Sequence, residues 1–485
     1  MKKARTGIVM LGIVLLILPL ALRFFAGHPL PEGNEGYGHL RMASFIAQHG
    51  IPSVDPAMPE RAYSANAFDL LLAVIVKITN TSFAAIVVPF LLGMAALLCL
   101  LRLTSALRIP HLVALGTQIA FVLSPFFIDA FTQPVARGLE LVLLVLLLLL
   151  LAESARAPER ATRKFLLALC ATLAALVLAT FGLIPALTSV ALPLLFRTVV
   201  RRMPLHMIWA SVAAFVMLVA VAIPAFLITE QPVFARPVPV VQAVSDFGSS
   251  AGGLSSFAWL LAFIGLALLW HLKRQYYAAM IFTTASLAAA LVLPSGLVVS
   301  HVLVSFLSGI ALAFFASRQW SFADIRMLTL LVLICGLLFS TLAHTVDLAK
   351  GPPHADVQRA AAALQDKLPD TAIILSHPHN GFWLAWWSGK EVYLDDWLAQ
   401  TPHVNDRWSV AEAIWYAQDI TQARSLLYKN KIDALVITQE MREGLVWDRP
   451  EQGLLFLLRN NETFKNIYRS DSVDIWAIEP SRGTP

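Results

Sequence analysis

Glu35, Glu140 and Glu230 stand far apart in the chain, yet each sits close to the outer end of a long apolar run. A carboxylate beside hydrocarbon is costly unless it is paired, protonated or bound to a cation. Taken singly, each is an interfacial, hydrated charge. Taken together, three outer segments that each offer an acid are the makings of one shared site. Asp129 and Arg137 flank the same stretch as Glu140, Arg41 follows Glu35, and Arg236 follows Glu230. A second concentration lies in ILSHPHNGFWLAWWSGKEVYLDDWLAQTPHVNDRW, residues 374–408, where His377, His379, several tryptophans and the pair Asp395 and Asp396 crowd together. His-x-His with no third ligand nearby is a weak zinc signal; two imidazoles lining a binding surface by hydrogen bonding fit better. Asp395, Asp396, Asp406 and Arg407 read as solvated charges in preference to a salt-linked surface.

The elements that must position these groups follow from composition. Of 485 residues, 58% are hydrophobic and 14% charged, and the mean hydropathy is +0.70. The bilayer is therefore the main solvent. The net charge of +5 resides largely in short loops between apolar runs; it reports topology and no nucleic-acid partner. Cys99, Cys170 and Cys335 all lie in apolar runs, where they serve as packing residues and form no disulfide framework.

Apolar runs long enough to span are expected at 7–25, 84–101, 111–128, 138–153, 165–181, 184–196, 206–228, 254–271, 276–293, 296–316 and 325–345, about eleven in all. The first reads as an uncleaved helix, since no small-residue cleavage site follows it. Lys2, Lys3, Arg5, Arg102, Arg108, Arg156, Arg160, Arg163, Lys164, Arg197, Arg201, Arg202, Lys273, Arg274, Arg318 and Arg326 then fall on one side. That places the N-terminus in the cytoplasm of an inner-membrane, multi-pass protein, and residues 346–485 outside, in the periplasm or extracellular space.

The expected organisation is a transmembrane domain over 1–345, with external loops at 27–83, 128–137 and 228–253, and a soluble domain over 346–485. In the first loop, YGHLRMASFIAQHG has helical spacing and suits a helix lying on the membrane surface, while FDLLLAVIVKIT is too short to span. In the outer domain TAIILS, KEVYLD, DALVIT and SVDIWAI read as strands, and DVQRAAAALQDKL, NGFWLAWWSG and ITQARSLLYKNK as helices. Their alternation predicts an α/β layered sheet. No Walker or dinucleotide motif is present.

EGYGHLRMASFIAQHGIPSVDPAM resembles the first external loop of oligosaccharyltransferase catalytic subunits, GT-C glycosyltransferases, in which an aspartate precedes a Tyr-Tyr-His-Leu-Arg type sequence; Glu35 stands in its place. LSPFFIDAFTQPVARGLELVLLVLLLLL is similar to their second external loop, whose acidic pair opens a long apolar helix, with Glu140 at the second acid and Gly138 at the first. ITEQP resembles their acceptor-contacting motif and gives Glu230. SHPHNGFWLAWWSGKEVYLDD is similar to their Trp-Trp-Asp-Tyr-Gly signature: His377 and Pro378 replace the tryptophans, His379 the aspartate and Asn380 the tyrosine, with Trp383 following. The resemblance runs through most of the chain, though no single motif is intact.

The resemblance implies a GT-C-like helical membrane protein with a C-terminal α/β domain, which moves a glycan or sugar from a polyprenyl (pyro)phosphate carrier to a protein acceptor outside the membrane. The leaving phosphate must be neutralised. If it is a diphosphate, a divalent cation (Mg or Mn) held by Glu35, Glu140 and Asp129 would do so; otherwise Arg41, Arg137 or Arg236 would pair with phosphate oxygens. Glu230 would orient or deprotonate the acceptor, and His377, His379, Asn380 and Trp383 would line its side. The altered signature leaves room for a lipid or polysaccharide acceptor in place of a protein. A transporter or a non-catalytic scaffold are the other readings; the spans hold few ionisable residues besides His301, which disfavours a transport pathway.

Overall fold

The computed structural model describes residues 2–28, 31–63, 66–156, 161–179, 253–271, 296–449, 451–460 and 462–479, with Phe181, Thr188, Leu192 and Thr284 as isolated positions. The runs expected at 184–196, 206–228 and 276–293 lie essentially outside these residues, as do Glu230 and Arg236.

The membrane part consists of helices α1 (Lys2–Phe25), α4 (Thr81–Ala106), α5 (His111–Val122), α6 (Pro125–Thr132), α7 (Ala136–Arg156), α8 (Ala161–Ala179), α9 (Ser256–His271), α10 (Leu297–Ser317) and α11 (Ala323–Lys350). Among the described residues, four of them (α1, α4, α10 and α11) are long and apolar enough on their own to cross a membrane, and five spans result if α5 and α6, bent by 55°, count as one. The expected count of about eleven is not reached within the described residues. Ser124 and Pro125 explain the bend, because a proline cannot donate to the preceding turn and so opens a new helix. α5 and α10 approach closely at small residues: a Cβ on Gly116 would lie 2.9 Å from Gly309 O. Such contacts join helices in lipid, where apolar burial gives no drive. His301, in the second turn of α10, is fully buried with neither ring nitrogen bonded, packed against Phe121 and Phe126.

The segment between α1 and α4, expected from the sequence as the first external loop and called the first external segment below, folds as α2 (Glu35–His49), a hairpin of β1 (Val54–Asp55) and β2 (Met58–Ala62), and α3 (Ala67–Ile78). Asn66 caps α3 by accepting from Asp69 N. The first half of α2, Gly36 to Ala43, is buried. It is therefore covered by protein rather than lying free on the membrane surface, as its amphipathic pattern alone implied.

The C-terminal domain has a five-stranded sheet in the order β4 (Glu391–Val392), β3 (Ile373–Leu375), β5 (Ile432–Thr438), β7 (Val473–Ile478), β6 (Phe464–Arg469); β3 runs parallel to β4 and β5, while β7 is antiparallel to β5 and β6. Helices α12 (Ala355–Lys367), α13 (Pro378–Ser388), α14 (Val404–Trp415) and α15 (Ile420–Lys429) cover it. The α/β reading of the sequence holds, and β6 and α14 are additions to it. This domain docks on the first external segment, and two of the contacts involve close approach of the backbone. Val392 N donates to Ala57 O at 3.2 Å, and α13 meets α2 at Gly38, where a Cβ would lie 3.0 Å from the Phe382 ring.

Candidate functional site

Where α2, α3, α6 and α7 meet the C-terminal domain, polar side chains join into one chain of contacts. Tyr63 Oη donates to Asp69 Oδ2 at 2.5 Å, and Asp69 Oδ1 lies 2.6 Å from His39 Nδ1. His39 Nε2 stands 3.8 Å from Glu35 Oε1, one helical turn earlier. Glu35 Oε2 accepts from Arg137 Nη2 at 3.0 Å, and Arg137 Nη1 is 3.2 Å from Asp129 Oδ2. Finally Gln133 Nε2 donates to Asp129 Oδ1 at 3.0 Å and to Glu32 Oε2 at 2.8 Å. Helical spacing explains the first local part, since 35 and 39 are an i, i+4 pair on one face of α2; Gln133 is the residue that closes α6 and turns back onto Asp129.

The electrostatics differ sharply along this chain. Burial pushes the Glu35 carboxyl up, but Arg137 and His39 outweigh it and hold the group at about 2. Burial pulls His39 down, and Asp69 and Glu35 reverse this, so the imidazole titrates at about 9 and is cationic at neutral pH. Burial and the neighbouring Asp129 push Glu32 up to about 8, leaving it protonated at neutral pH. Glu32 was not singled out in the sequence, although it stands three residues before Glu35 in PEGNEG. The Glu35 side chain remains 38% exposed, so this carboxylate is open to a ligand.

Glu140 and Arg41 lie apart from that chain of contacts. Glu140 is buried one turn along α7 from Arg137, and its Oε1 has no hydrogen-bond partner. Position 138 could carry no acid here, because a Cβ on Gly138 would lie 2.5 Å from Ala130 O. Arg41 leaves α2 on another face and donates to both oxygens of Asp55 at 2.7 and 2.8 Å. Asp55 also receives Arg61, which reaches across to Asp395 with two bonds of 2.8 and 2.7 Å. Arg41 thus belongs to a buried ion network that pins the hairpin under the C-terminal domain.

The expectation of solvated charges at 395–407 is corrected at three of four positions. Asp395 is fully buried on Arg61, Asp396 is bonded to His379 and Asn34, and Arg407 pairs with Glu60 at 2.5 Å; Asp406 is exposed. A buried carboxylate keeps its charge only with such partners.

The four residues expected from the sequence to line the acceptor side divide. His377 caps α13, accepting from His379 N at 3.3 Å, and burial together with His379 lowers it to about 4, so it stays neutral. His379 is 64% exposed, with Nδ1 held 2.7 Å from Asp396 Oδ1; that hydrogen bond raises its pKa. Asn380 and Trp383 are buried inside the domain, Asn380 Nδ2 donating to Ser376 Oγ at 3.1 Å; they support the surface without lining it. Asn34, immediately before Glu35, joins the two groups. Its Oδ1 accepts from Phe382 N and Trp383 N at 3.0 and 3.2 Å, and its Nδ2 donates to Asp396 Oδ2 at 2.8 Å.

The described residues do not fit the divalent cation expected at Glu35, Glu140 and Asp129. Arg137 already bridges Glu35 and Asp129, Glu140 is not joined to them, and among the described residues no three His, Cys, Asp or Glu side chains form a group able to hold a metal.

No family model matches the chain, and no curated protein matches it. Solved structures do. The Archaeoglobus fulgidus oligosaccharyltransferase in its apo form superposes with a TM-score of 0.64 at 13% identity, over 91% of this chain and 70% of that one. ArnT from Cupriavidus metallidurans, apo, gives 0.58 at 13% identity, over 99% and 98%. The mycobacterial arabinofuranosyltransferase AftD gives 0.57 at 15%, over 98% of this chain and 42% of that one. All are GT-C glycosyltransferases, and the fold of this chain is theirs. The archaeal protein has been captured with an inhibitory peptide and dolichol-phosphate and with Zn and sulfate, and ArnT with undecaprenyl phosphate.

Proposed function

We propose that the chain is a GT-C glycosyltransferase that moves a sugar or glycan from a polyprenyl-phosphate or -diphosphate carrier to an acceptor on the outer face of the membrane. The observation that carries this reading is the Glu35–Arg137–Asp129 bridge at the junction of membrane helices and C-terminal domain, in a fold whose relatives bind polyprenyl phosphates. Arg137 supplies the positive charge toward the leaving phosphate, its two terminal nitrogens being oriented by Glu35 and Asp129. The fixed carboxylate of Glu35 stabilises positive charge developing at the anomeric carbon. Holding Glu32 neutral lowers the negative charge that a phosphate must approach. Glu140 supports Arg137; Glu230 and Arg236, outside the described residues, keep their proposed acceptor and phosphate roles.

In this reading the N-terminus is cytoplasmic and the C-terminal domain periplasmic or extracellular. A protein acceptor is the version that follows from the oligosaccharyltransferase resemblance. A lipid or polysaccharide acceptor is favoured by one observation: the segment in place of Trp-Trp-Asp presents an imidazole backed by a carboxylate, which suits a hydroxyl better than an amide. Mass spectrometry of envelope proteins and glycans from cells with and without this chain decides between them. An altered lipid or polysaccharide with an unchanged glycoprotein profile supports the second version, and no change in any of them contradicts the function.

A further inference from the structure

Resting on that reading, we propose that His379, oriented by Asp396, takes the proton from the hydroxyl of an acceptor sugar. The geometry has three parts. First, Asp396 is held from two sides: Oδ1 meets His379 Nδ1 at 2.7 Å, and Oδ2 accepts from Asn34 Nδ2 at 2.8 Å. Asn34 is itself fixed, because its Oδ1 takes the Phe382 and Trp383 amides in the middle of α13. A carboxylate so placed keeps the proton on Nδ1 of a neutral imidazole and leaves the Nε2 lone pair for the ligand, as in hydrolytic triads.

Second, the imidazole is accessible, with its side chain 64% exposed, while Asp396 is recessed at 26%. This is the arrangement of a base and its positioning residue; two exposed partners would be a surface ion pair. Third, the same Asn34 that fixes Asp396 precedes Glu35, so the dyad is built against the residue that opens the Glu35–Arg137 bridge. Beside His379 stand the half-buried rings of His377 and Trp408, at centroid separations of 4.9 Å (His379–His377) and 6.3 Å (His377–Trp408), while the buried Trp415 backs His377 at 6.0 Å. Aromatic rings offer flat apolar area on which the C–H face of a sugar stacks while its hydroxyls reach polar groups at the edge, which favours a carbohydrate over a peptide side chain.

In the step itself the acceptor O–H breaks and its proton passes to His379 Nε2. The acceptor oxygen bonds to the anomeric carbon, and the bond from that carbon to the carrier phosphate oxygen breaks, its electron pair leaving on the phosphate. Asp396 and Asn34 act only by positioning.

The test uses the full-length protein in detergent or liposomes with a polyprenyl-phosphate-linked sugar, and offers a soluble oligosaccharide, the same oligosaccharide on a lipid, and a serine peptide as acceptors. Transfer to either oligosaccharide is expected, the preferred one identifying a polymeric or a lipid-linked source. The wild-type rate rises with pH through an inflection above 6.5, Asp396→Asn moves that inflection down, and His379→Gln removes it with a loss of roughly 10²–10⁴-fold in kcat. Imidazole added to His379→Gly restores part of the rate, which a merely structural role would not allow. If wild type transfers to sugar and His379→Gln keeps the wild-type kcat and inflection, the dyad proposal falls and the glycosyltransferase reading stands. Transfer to the peptide alone overturns the acceptor assignment. No transfer to any acceptor overturns both.

Discussion

Arg137 Nη2 stands 3.0 Å from Glu35 Oε2, so a guanidinium from the first turn of a membrane helix is bound to a carboxylate that opens the helix of the first external segment. Its other terminal nitrogen meets Asp129 on α6. One cation thus ties α6 and α7 to a helix that begins 102 residues earlier in the chain.

If this bridge carries the phosphate-facing charge, Arg137→Met abolishes transfer, and Arg137→Lys, which keeps the charge without the fork, lowers it by about 10²-fold. Separating two partly exposed carboxylates from their cation also costs about 1–3 kcal/mol of stability. Rate assays beside thermal melts separate the two effects. Because the guanidinium occupies the place expected for a divalent cation, EDTA leaves the wild-type rate unchanged.

Glu35→Gln, Glu140→Gln and Glu230→Gln each abolish transfer while the protein remains in the membrane, as immunoblots of membrane fractions would show. Full activity in two of the three would dissolve the proposed site.

The Arg61–Asp395 pair makes a different prediction. Both side chains are buried, and they join the hairpin of the first external segment to the C-terminal domain. Asp395→Asn leaves a buried guanidinium short of its partner and costs about 3–5 kcal/mol, seen as earlier proteolysis of the C-terminal domain. A double variant, Arg61→Met with Asp395→Leu, recovers much of that loss.

Stability carries a pH signature at His39. Its folded pKa, about 9, lies above the ordinary histidine value of 6.5 because Asp69 and Glu35 outweigh burial. The folded state therefore binds the extra proton, and the contribution is full below pH 6.5 and lost as pH rises through about 9. Glu35 has the opposite sign: held at about 2, it contributes above pH 4.5 and loses that contribution as pH falls toward 2. Melts of wild type against Asp69→Asn differ at pH 6 and converge above pH 9.

What the sequence made legible was what periodicity encodes. The runs that became α1, α4, α7 and α10 announced themselves by apolar length, and β5 and β7 by short apolar runs rich in Val and Ile. Glu35, Arg137 and Asp129 were separately recognisable as acids and a base at outer helix ends, but nothing local says that Arg137 closes on two of them. The buried polar partners were the least legible. Asp395 read as a solvated charge because its partner Arg61 is 334 residues away. Asp69 sits in an apolar stretch with no sign of His39, 30 residues earlier. The hairpin at 54–62 gave no alternation to detect, since its strands are two and five residues long.

The central claim is that the Glu35–Arg137 junction is where a polyprenyl-linked sugar leaves its carrier. Its most direct test is mass spectrometry of the carrier lipid after incubating purified protein with a polyprenyl-phosphate sugar and an oligosaccharide acceptor. The account predicts free polyprenyl phosphate and a glycosylated acceptor in equal amounts with wild type, and neither with Arg137→Met or Glu35→Gln. Equal product from wild type and both variants, or an intact donor throughout, would contradict it.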